Sequence, residues 1–373
     1  MTRALLIHRE GGDYQLVGRS QAPTTVEPPW NDLMAGVRHA VSRLSQRTNW
    51  RLVDEQGRIL SPERPIGGVD AAVAVVSAGS ALRTLLVGTL EDMSLSSARR
   101  ALSATHSSVV GTVSMDQGEG RTQNDDAEGQ VRLVHDTEPD VIVIVGGVDG
   151  GPGRPVLQSV RAMALACAAL PAHRRPTILY AGNVELKSAV AKSLGDCTDL
   201  RFVDNVLPRQ DTQNPGPLFT ELERLHSAQQ RDRLPGLLEL ASWCPVQVLP
   251  AARAFGHSIE YLAHRDDAHL LAVDVGVSNV TVAGVVDGQF ELATRADLGP
   301  DRNAHRLLDL VSESSVLRWL PFEMSAADLR ALMLNRSLRG HTLPQTRRDL
   351  LLEHALARET IRYAVQDLSL IHI

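Results

Sequence analysis

The sequence has little lysine and few aromatic residues, and the shortage of lysine limits its phosphate chemistry. Of 38 basic residues in the 373-residue chain, only Lys187 and Lys192 are lysines, and Phe, Trp and Tyr together make up 3%. Neither lysine directly follows a glycine, so the Gly-Lys ending of a Walker-type phosphate loop is absent. Walker-type NTPases are therefore excluded. Phosphate binding would have to use backbone amides, hydroxyls, arginine or a metal held by carboxylates.

Cysteine, net positive charge and long apolar runs are also scarce. The three cysteines, Cys167, Cys197 and Cys244, are too few and too widely spaced for a disulfide framework or a Cys-x-x-Cys metal pair, so we expect reduced thiols. The formal net charge of −6 lacks the basic excess of a duplex nucleic-acid binder. No apolar run approaches the roughly 18 residues of a membrane span, and no signal segment is evident. We therefore expect a cytoplasmic protein with no nucleic-acid and no membrane partner.

Strand and helix patterns alternate along the chain, which indicates an α/β fold with a mostly parallel sheet. The predicted strands are residues 4–8, 14–17, 71–76, 141–145, 177–180, 270–275 and 280–286. The predicted helices are residues 32–46, 94–104, 155–170, 185–194, 302–312, 326–334 and 345–365. Residues 116–129, rich in glycine and in acidic and amide side chains, are predicted to form a mobile exposed loop. A domain boundary is expected near residues 261–267.

A glycine-rich segment directly after the predicted strand at 141–145 is the strongest local signal for a ligand site. Its candidate binding residues are Gly146, Gly147, Asp149, Gly150 and Gly151. Glycines between a buried strand and a helix let backbone amides approach a phosphate or a ribose closely. The dinucleotide pattern Gly-x-Gly-x-x-Gly is broken because a valine occupies the second glycine position. The alternative is a tight structural turn, in which Asp149 caps the turn instead of holding a metal or a ribose.

A second candidate is the turn between the predicted strands 270–275 and 280–286. Asp274 ends the first strand, and Gly276 and Ser278 follow in the turn. In such a turn the aspartate would orient a metal-bound water, and the amides and the serine hydroxyl would hydrogen-bond phosphoryl oxygens. A plain β-turn has the same residue types, so this motif alone does not distinguish the two interpretations.

Several separate blocks, taken in chain order, resemble one family across nearly the whole chain. The blocks are residues 22–26, 77–79 with 82–83, 139–151, 180–183, 203–205, 273–276, 318–322 and 342–346. The sequence resembles the glutamate mutase L (MutL/GlmL-type) family of the actin/Hsp70/sugar-kinase ATPase superfamily, which is unrelated to the mismatch-repair protein of similar name. Ordered blocks of this kind are far more specific than any single loop.

The resemblance implies two duplicated actin/Hsp70-like, ribonuclease H-like domains that clasp a nucleotide. The first would span residues 1–263 and the second, incomplete, residues 264–367; residues 368–373 break the helical pattern and are expected to be a non-native tail. Thr2 would remain from a first phosphate loop, and Asp274 would be catalytic and hold a metal through water. The implied cofactors are ATP and Mg²⁺. The implied partner is an adenosylcobalamin-dependent mutase, which a chaperone of this kind would reactivate.

The second loop departs from the family pattern Asp-Ile-Gly-Gly-Ala-Thr-Thr-Asp. Val277 replaces a glycine, and residues 279–281 replace Thr-Thr-Asp, so two hydroxyls and a carboxylate are lost. We therefore expect no measurable ATPase activity from this chain. Two alternative functions stay open: a nucleotide-free scaffold that binds the mutase, and a small-molecule phosphotransferase of the same superfamily.

Overall fold

The computed structural model describes residues 1–77, 79–88, 91–114, 127–195, 197–299, 303–339 and 343–371. Its strands are β1 Thr2–Glu10, β2 Asp13–Ala22, β3 Val75–Val76, β4 Leu82–Gly88, β5 Ser107–Ser114, β6 Val141–Ile144, β7 Thr177–Tyr180, β8 Leu200–Phe202, β9 Leu249–Pro250, β10 Leu270–Val275, β11 Val280–Val286 and β12 Gln289–Arg295. Its α-helices are α1 Leu33–Thr48, α2 Ser96–Ser103, α3 Ala127–Thr137, α4 Arg154–Ala169, α5 Lys187–Leu194, α6 Gly216–Arg233, α7 Leu237–Ser242, α8 Ala251–Asp266, α9 Ala304–Leu310, α10 Glu313–Leu317, α11 Ala326–Leu338 and α12 Arg347–Ile371. Short 3₁₀ turns lie at Ala172–Arg174 and Val184–Leu186, and a π-helical turn lies at Glu91–Leu95.

The chain divides into two compact units. The first comprises residues 1–80 and 227–254, and the second residues 81–226 and 255–373. The division into residues 1–263 and 264–367 expected from the resemblance stays a prediction, and α8 runs through that position. Duplicated actin-like domains likewise remain a prediction, whereas the mixed α/β class is confirmed.

The first unit is built on the predicted hairpin of β1 and β2, which pair antiparallel. Helix α1 packs against this hairpin; it begins after Asp32, whose carboxylate accepts a hydrogen bond from the Met34 amide at 2.9 Å. The strand predicted at 71–76 is much shorter in the structure, although an apolar run of this kind would be expected to be buried on both faces. Only Val75 and Val76 are extended, and Val73 and Val75 are 67% and 52% exposed.

The second unit contains a five-stranded sheet in which every strand runs parallel to its neighbours, in the order β5-β4-β6-β7-β8. Helices cover both faces, because alternate side chains of each strand point to opposite sides. Helices α2 and α6 pack on one face, where Leu86, Val143 and Leu179 are buried. Helices α3, α4 and α5 pack on the other, against Ile142 and Ile178. The result is a doubly wound parallel sheet.

The rest of the second unit is an antiparallel sheet and a helical cluster. Strands β10, β11 and β12 form a meander in that order, and α12 packs against it. Helices α9 to α12 enclose a core of their own, with Leu307, Leu329, Met333 and Leu356 fully buried. All three cysteines are free thiols, as expected. Burial raises the pKa of the Cys167 thiol to about 11.

Several boundary predictions need correction. The helix predicted at 94–104 begins later, because Ser94 lies in the π-helical turn and α2 starts at Ser96. The helix predicted at 345–365 extends further, because α12 continues to Ile371. That residues 368–373 are a non-native tail stays a prediction. The loop predicted at 116–129 falls mostly outside the described residues, and its last three residues begin α3. In the described ranges, every helix is too short or too polar to cross a bilayer.

Candidate functional site

Three loops that follow neighbouring strands meet at the carboxyl edge of the parallel sheet. They are residues 145–153 after β6, 181–186 after β7 and 203–214 after β8. Parallel strands present all their carboxyl ends on one edge, so loops after adjacent strands become neighbours. The carboxyl edge is also where open α/β sheets bind ligands. The glycine loop, defined as residues 146–153, is therefore the natural centre of a site.

The glycine loop is conformationally demanding. Gly146, Gly147 and Gly150 have φ angles of 134°, 73° and 76°, a region that L side chains rarely adopt. A β-carbon on Gly147 would lie 3.4 Å from the β-carbon of Asn183. Glycine at these positions lets the chain turn tightly between β6 and α4 while it stays close to the loop after β7.

Two buried asparagines from the neighbouring loops hold the glycine loop in place. Asn183 donates from Nδ2 to the Gly151 carbonyl at 3.1 Å and is fully buried. Asn205 is 5% exposed, and its Nδ2 donates to the Gly147 carbonyl at 3.0 Å and to Oδ1 of Asp149 at 2.9 Å. Their side-chain oxygens accept hydrogen bonds from amides further along their own loops. Side chains of the two neighbouring loops thus bind the carbonyls of Gly147 and Gly151.

Asp149 is exposed, but its carboxylate is hydrogen-bonded to the loops that follow β7 and β8. Besides Asn205, its Oδ1 accepts a hydrogen bond from the Val184 amide at 2.9 Å. Tyr180, at the end of β7, donates its hydroxyl proton to the Asn183 carbonyl at 2.9 Å. Burial, and secondarily the charge of Asp149, raises the pKa of this hydroxyl above its ordinary value. The tyrosine therefore stays protonated and acts as a hydrogen-bond donor.

The backbone amides of the glycine loop are the groups that could bind a ligand. Among the described residues, none accepts a hydrogen bond from the amides of Gly146, Gly147 or Gly150. Helix α4 starts directly after Gly153, and no side chain caps its first turn. Unpaired amides and a helix N-terminus favour negative charge, and a phosphate is the common biological ligand of that type.

The second predicted group lies on the other sheet of this unit. Asp274 is exposed on β10 and pairs with Thr281 across the strands. Gly276 donates its amide to the Asn279 carbonyl at 2.8 Å, and the Ser278 carbonyl accepts a hydrogen bond from Asn303 Nδ2 at 2.7 Å. Within the described part of the chain, no hydrogen bond or ion pair joins Asp274 to the glycine loop.

Thr2 belongs to the other compact unit. It is the first residue of β1, and its Oγ1 lies 3.1 Å from Oγ1 of Thr24, within hydrogen-bond distance. Across the ranges that the structure describes, no three His, Cys, Asp or Glu side chains form a group that could hold a metal ion.

Asn183 and Asn205 are the site residues that sequence reasoning did not single out. Each lies three residues beyond the end of its strand, β7 or β8, and that shared offset is the signal that could have found them. Residues at the same offset after adjacent parallel strands meet at one edge of the sheet.

Comparison with known proteins gives one consistent result. The model of the MutL protein family matches residues 1–367. Protein MutL of Clostridium tetanomorphum is 20% identical over 364 aligned residues, which cover 92% of this chain and 71% of that protein. The resemblance found in the ordered sequence blocks is confirmed by this match.

Proposed function

The chain belongs to the MutL protein family, and we propose that it acts beside an adenosylcobalamin-dependent mutase as a nucleotide-responsive reactivating factor. The family match over residues 1–367 supports a role beside a mutase, since the sequence blocks resemble the glutamate mutase L family. Nucleotide binding would provide the energy for a conformational change, because a ligand shifts an equilibrium by its difference in affinity for the two states. One state would hold the mutase open long enough for damaged cobalamin to leave.

One observation carries the nucleotide part of this proposal: three amides of the glycine loop have no acceptor among the described residues, while Asn183 and Asn205 bind two of its carbonyls. The loop also follows β6, beside the point in the sheet where the strand order reverses between β4 and β6. Open α/β sheets bind ligands at such switch points. A phosphate there would replace water on the amides of Gly147 and Gly150, of which the first residue is half-buried and the second exposed.

ATP is a better match to the glycine loop than a bare Mg²⁺ ion is. The loop amides suit phosphoryl oxygens. In the described ranges no cluster of metal-binding side chains exists, so Mg²⁺ would depend on the phosphates, on water and on one carboxylate, for which Asp149 is placed. Bound magnesium would neutralise phosphate charge. The residues of this chain would bind and orient the nucleotide, and no hydrolytic step is assigned to them.

The test compares ATP binding in two glycine variants that carry the same backbone penalty. Gly150 and Gly288 have φ angles of 76° and 74°, and both have space for a β-carbon. Gly150→Ala introduces strain and a methyl group at the proposed phosphate site, whereas Gly288→Ala does so in the β11–β12 turn. We expect calorimetry with Mg²⁺-ATP to show at least about tenfold weaker binding for Gly150→Ala alone, or about 1.4 kcal/mol.

Equal affinities in the two variants would contradict a nucleotide site at the glycine loop. A second candidate function is the nucleotide-free scaffold, which the isolated, exposed position of Asp274 favours. Co-sedimentation of the wild-type chain with purified glutamate mutase, with and without ATP, separates the two. Mutase binding that requires no nucleotide, together with no ATP binding, supports the scaffold; no mutase binding contradicts both.

A further inference from the structure

An open cavity of about 550 Å³ lies away from the glycine loop, between α12 and the segment that follows α10. It is lined by Arg318, Trp319, Arg358, Ile361 and Arg362. Residues 358, 361 and 362 share one face of α12, since positions three and four apart on a helix are neighbours. Its volume is in the range of small-molecule sites, and three of its five lining residues are arginines.

A single carboxylate balances part of this positive charge. Glu359 has a fully buried side chain and accepts hydrogen bonds from Arg318 Nη2 at 3.1 Å, Trp319 Nε1 at 3.0 Å and Arg362 Nε at 2.8 Å. This network fixes both the indole and the two guanidinium groups. Three positive charges against one negative charge leave an excess of two around the cavity.

Arg358 is the unneutralised member of the group. Its guanidinium carbon lies 5.5 Å from the Trp319 ring centroid, and that of Arg318 lies 5.1 Å from the same ring. Among the described residues, no carboxylate forms an ion pair with Arg358. The residues four positions before and after Arg358 on α12 are His354 and Arg362, so the helix places no carboxylate one turn from Arg358. The cation–π contact with the indole does not use the guanidinium N–H groups, and among the described residues none accepts a hydrogen bond from them.

We propose that this arginine cavity binds a small oxyanion with two negative charges, a phosphate monoester or a dicarboxylate. The excess charge of two matches such a ligand, and Arg358 offers a planar fork that suits carboxylate and phosphoryl oxygens. The Glu359 network explains why Arg318 and Arg362 are held in place, but it does not involve Arg358. This site is independent of the proposed nucleotide site, since it uses different elements and no residue of the glycine loop.

The test titrates the chain with inorganic phosphate and, in a second arm, with succinate, each at constant ionic strength set with sodium chloride. Arg358→Gln is compared with Arg348→Gln. Arg348 is the matched control because it lies on the same helix and stacks on Phe322 at 4.7 Å, outside the cavity. We expect saturable calorimetric binding with a Kd of roughly 1 mM or lower in the wild type. Arg358→Gln should weaken it about tenfold, and Arg348→Gln should leave it unchanged.

Each outcome decides the proposal. Binding of phosphate, of succinate or of both that depends on Arg358 supports the site and identifies the preferred oxyanion. No binding of either anion, or equal losses in the two arginine variants, overturns it. The Gly150→Ala variant should retain this binding, so failure of the nucleotide proposal and failure of the oxyanion proposal are distinguishable.

Discussion

At the scale of single residues, the second unit depends on polar groups that are buried and fully engaged. Asn183, Asn205 and Glu359 each satisfy several donors or acceptors from other segments. A buried polar group without partners costs about 1–3 kcal/mol, so such residues fix the geometry around them as well as adding stability. The two asparagines are short side chains at loop positions, and Glu359 is one of many charged residues on a helix, so none of the three gives a sequence pattern that assigns it a role.

Glu359 makes a prediction about stability and pH. Burial opposes its ionisation, but hydrogen bonds from Arg362 and Trp319 and the charges of Arg362 and Arg318 outweigh this and lower its pKa below the ordinary 4.5. A carboxylate with a lowered pKa stabilises the fold above its ordinary pKa, and this contribution is lost as the pH falls through the folded-state pKa.

Glu359→Gln should therefore reduce the free energy of unfolding most at neutral pH. The difference from wild type should shrink steadily below pH 4.5, which urea denaturation at a series of pH values measures. Glu128→Gln, at an 86% exposed side chain on α3, controls for the general loss of one carboxylate. A Glu359→Gln penalty that is the same at acidic and neutral pH would contradict this role.

At the scale of elements, the sequence predicted several strands with strong apolar patterns but missed β4, although four of its seven residues are leucine or valine. The predicted bounds of β7, β10 and β11 agree with the structure to the residue. Strand β5, with three serines and a glycine among eight residues, has too weak a pattern to be recognised. Strand β12 was missed despite a usable signal: Asp287 and Gly288, both with positive φ, form the two-residue turn typical of a hairpin.

The close approach of the loops after β6 and β7 makes a second prediction. A β-carbon on Gly182 would lie 2.8 Å from the Gly146 carbonyl oxygen and 3.1 Å from the Tyr180 hydroxyl oxygen. Gly182→Ala should therefore push the glycine loop away, destabilise the fold by about 1–3 kcal/mol and weaken ATP binding. Thermal unfolding and the calorimetric titration measure the two effects.

Gly216→Ala is the matched control, because a β-carbon at the start of α6 meets nothing within 4 Å. It should change the free energy of unfolding by no more than about 0.5 kcal/mol and leave ATP binding intact. If Gly182→Ala behaved like this control, the two loops would not be packed as tightly as the structure places them.

At the scale of the whole molecule, the order of the strands in the sheet determines where a site can form. Sequence patterns did not predict this order. Alternating strands and helices predicted the α/β class. The placement of β5 outside β4 follows from long-range pairing, for which local patterns carry no information. The glycine loop was identified from its own composition, whereas the position of Asn183 and Asn205 beside it follows from the strand order β6-β7-β8.

The distribution of the two candidate turns over two sheets leads to the last prediction. The glycine loop follows a strand of the parallel sheet, whereas Asp274 lies exposed on the antiparallel meander, and its carboxylate forms no hydrogen bond or ion pair with the described residues. Hydrolysis requires a carboxylate or another group positioned on the attacking water, within about 3 Å of it. We therefore expect the chain to bind ATP without releasing phosphate above the rate in buffer. Asp274→Ala should leave ATP affinity unchanged, whereas Gly150→Ala weakens it. Phosphate release that disappears in Asp274→Ala would place this carboxylate in the reaction and would require the two turns to face one nucleotide.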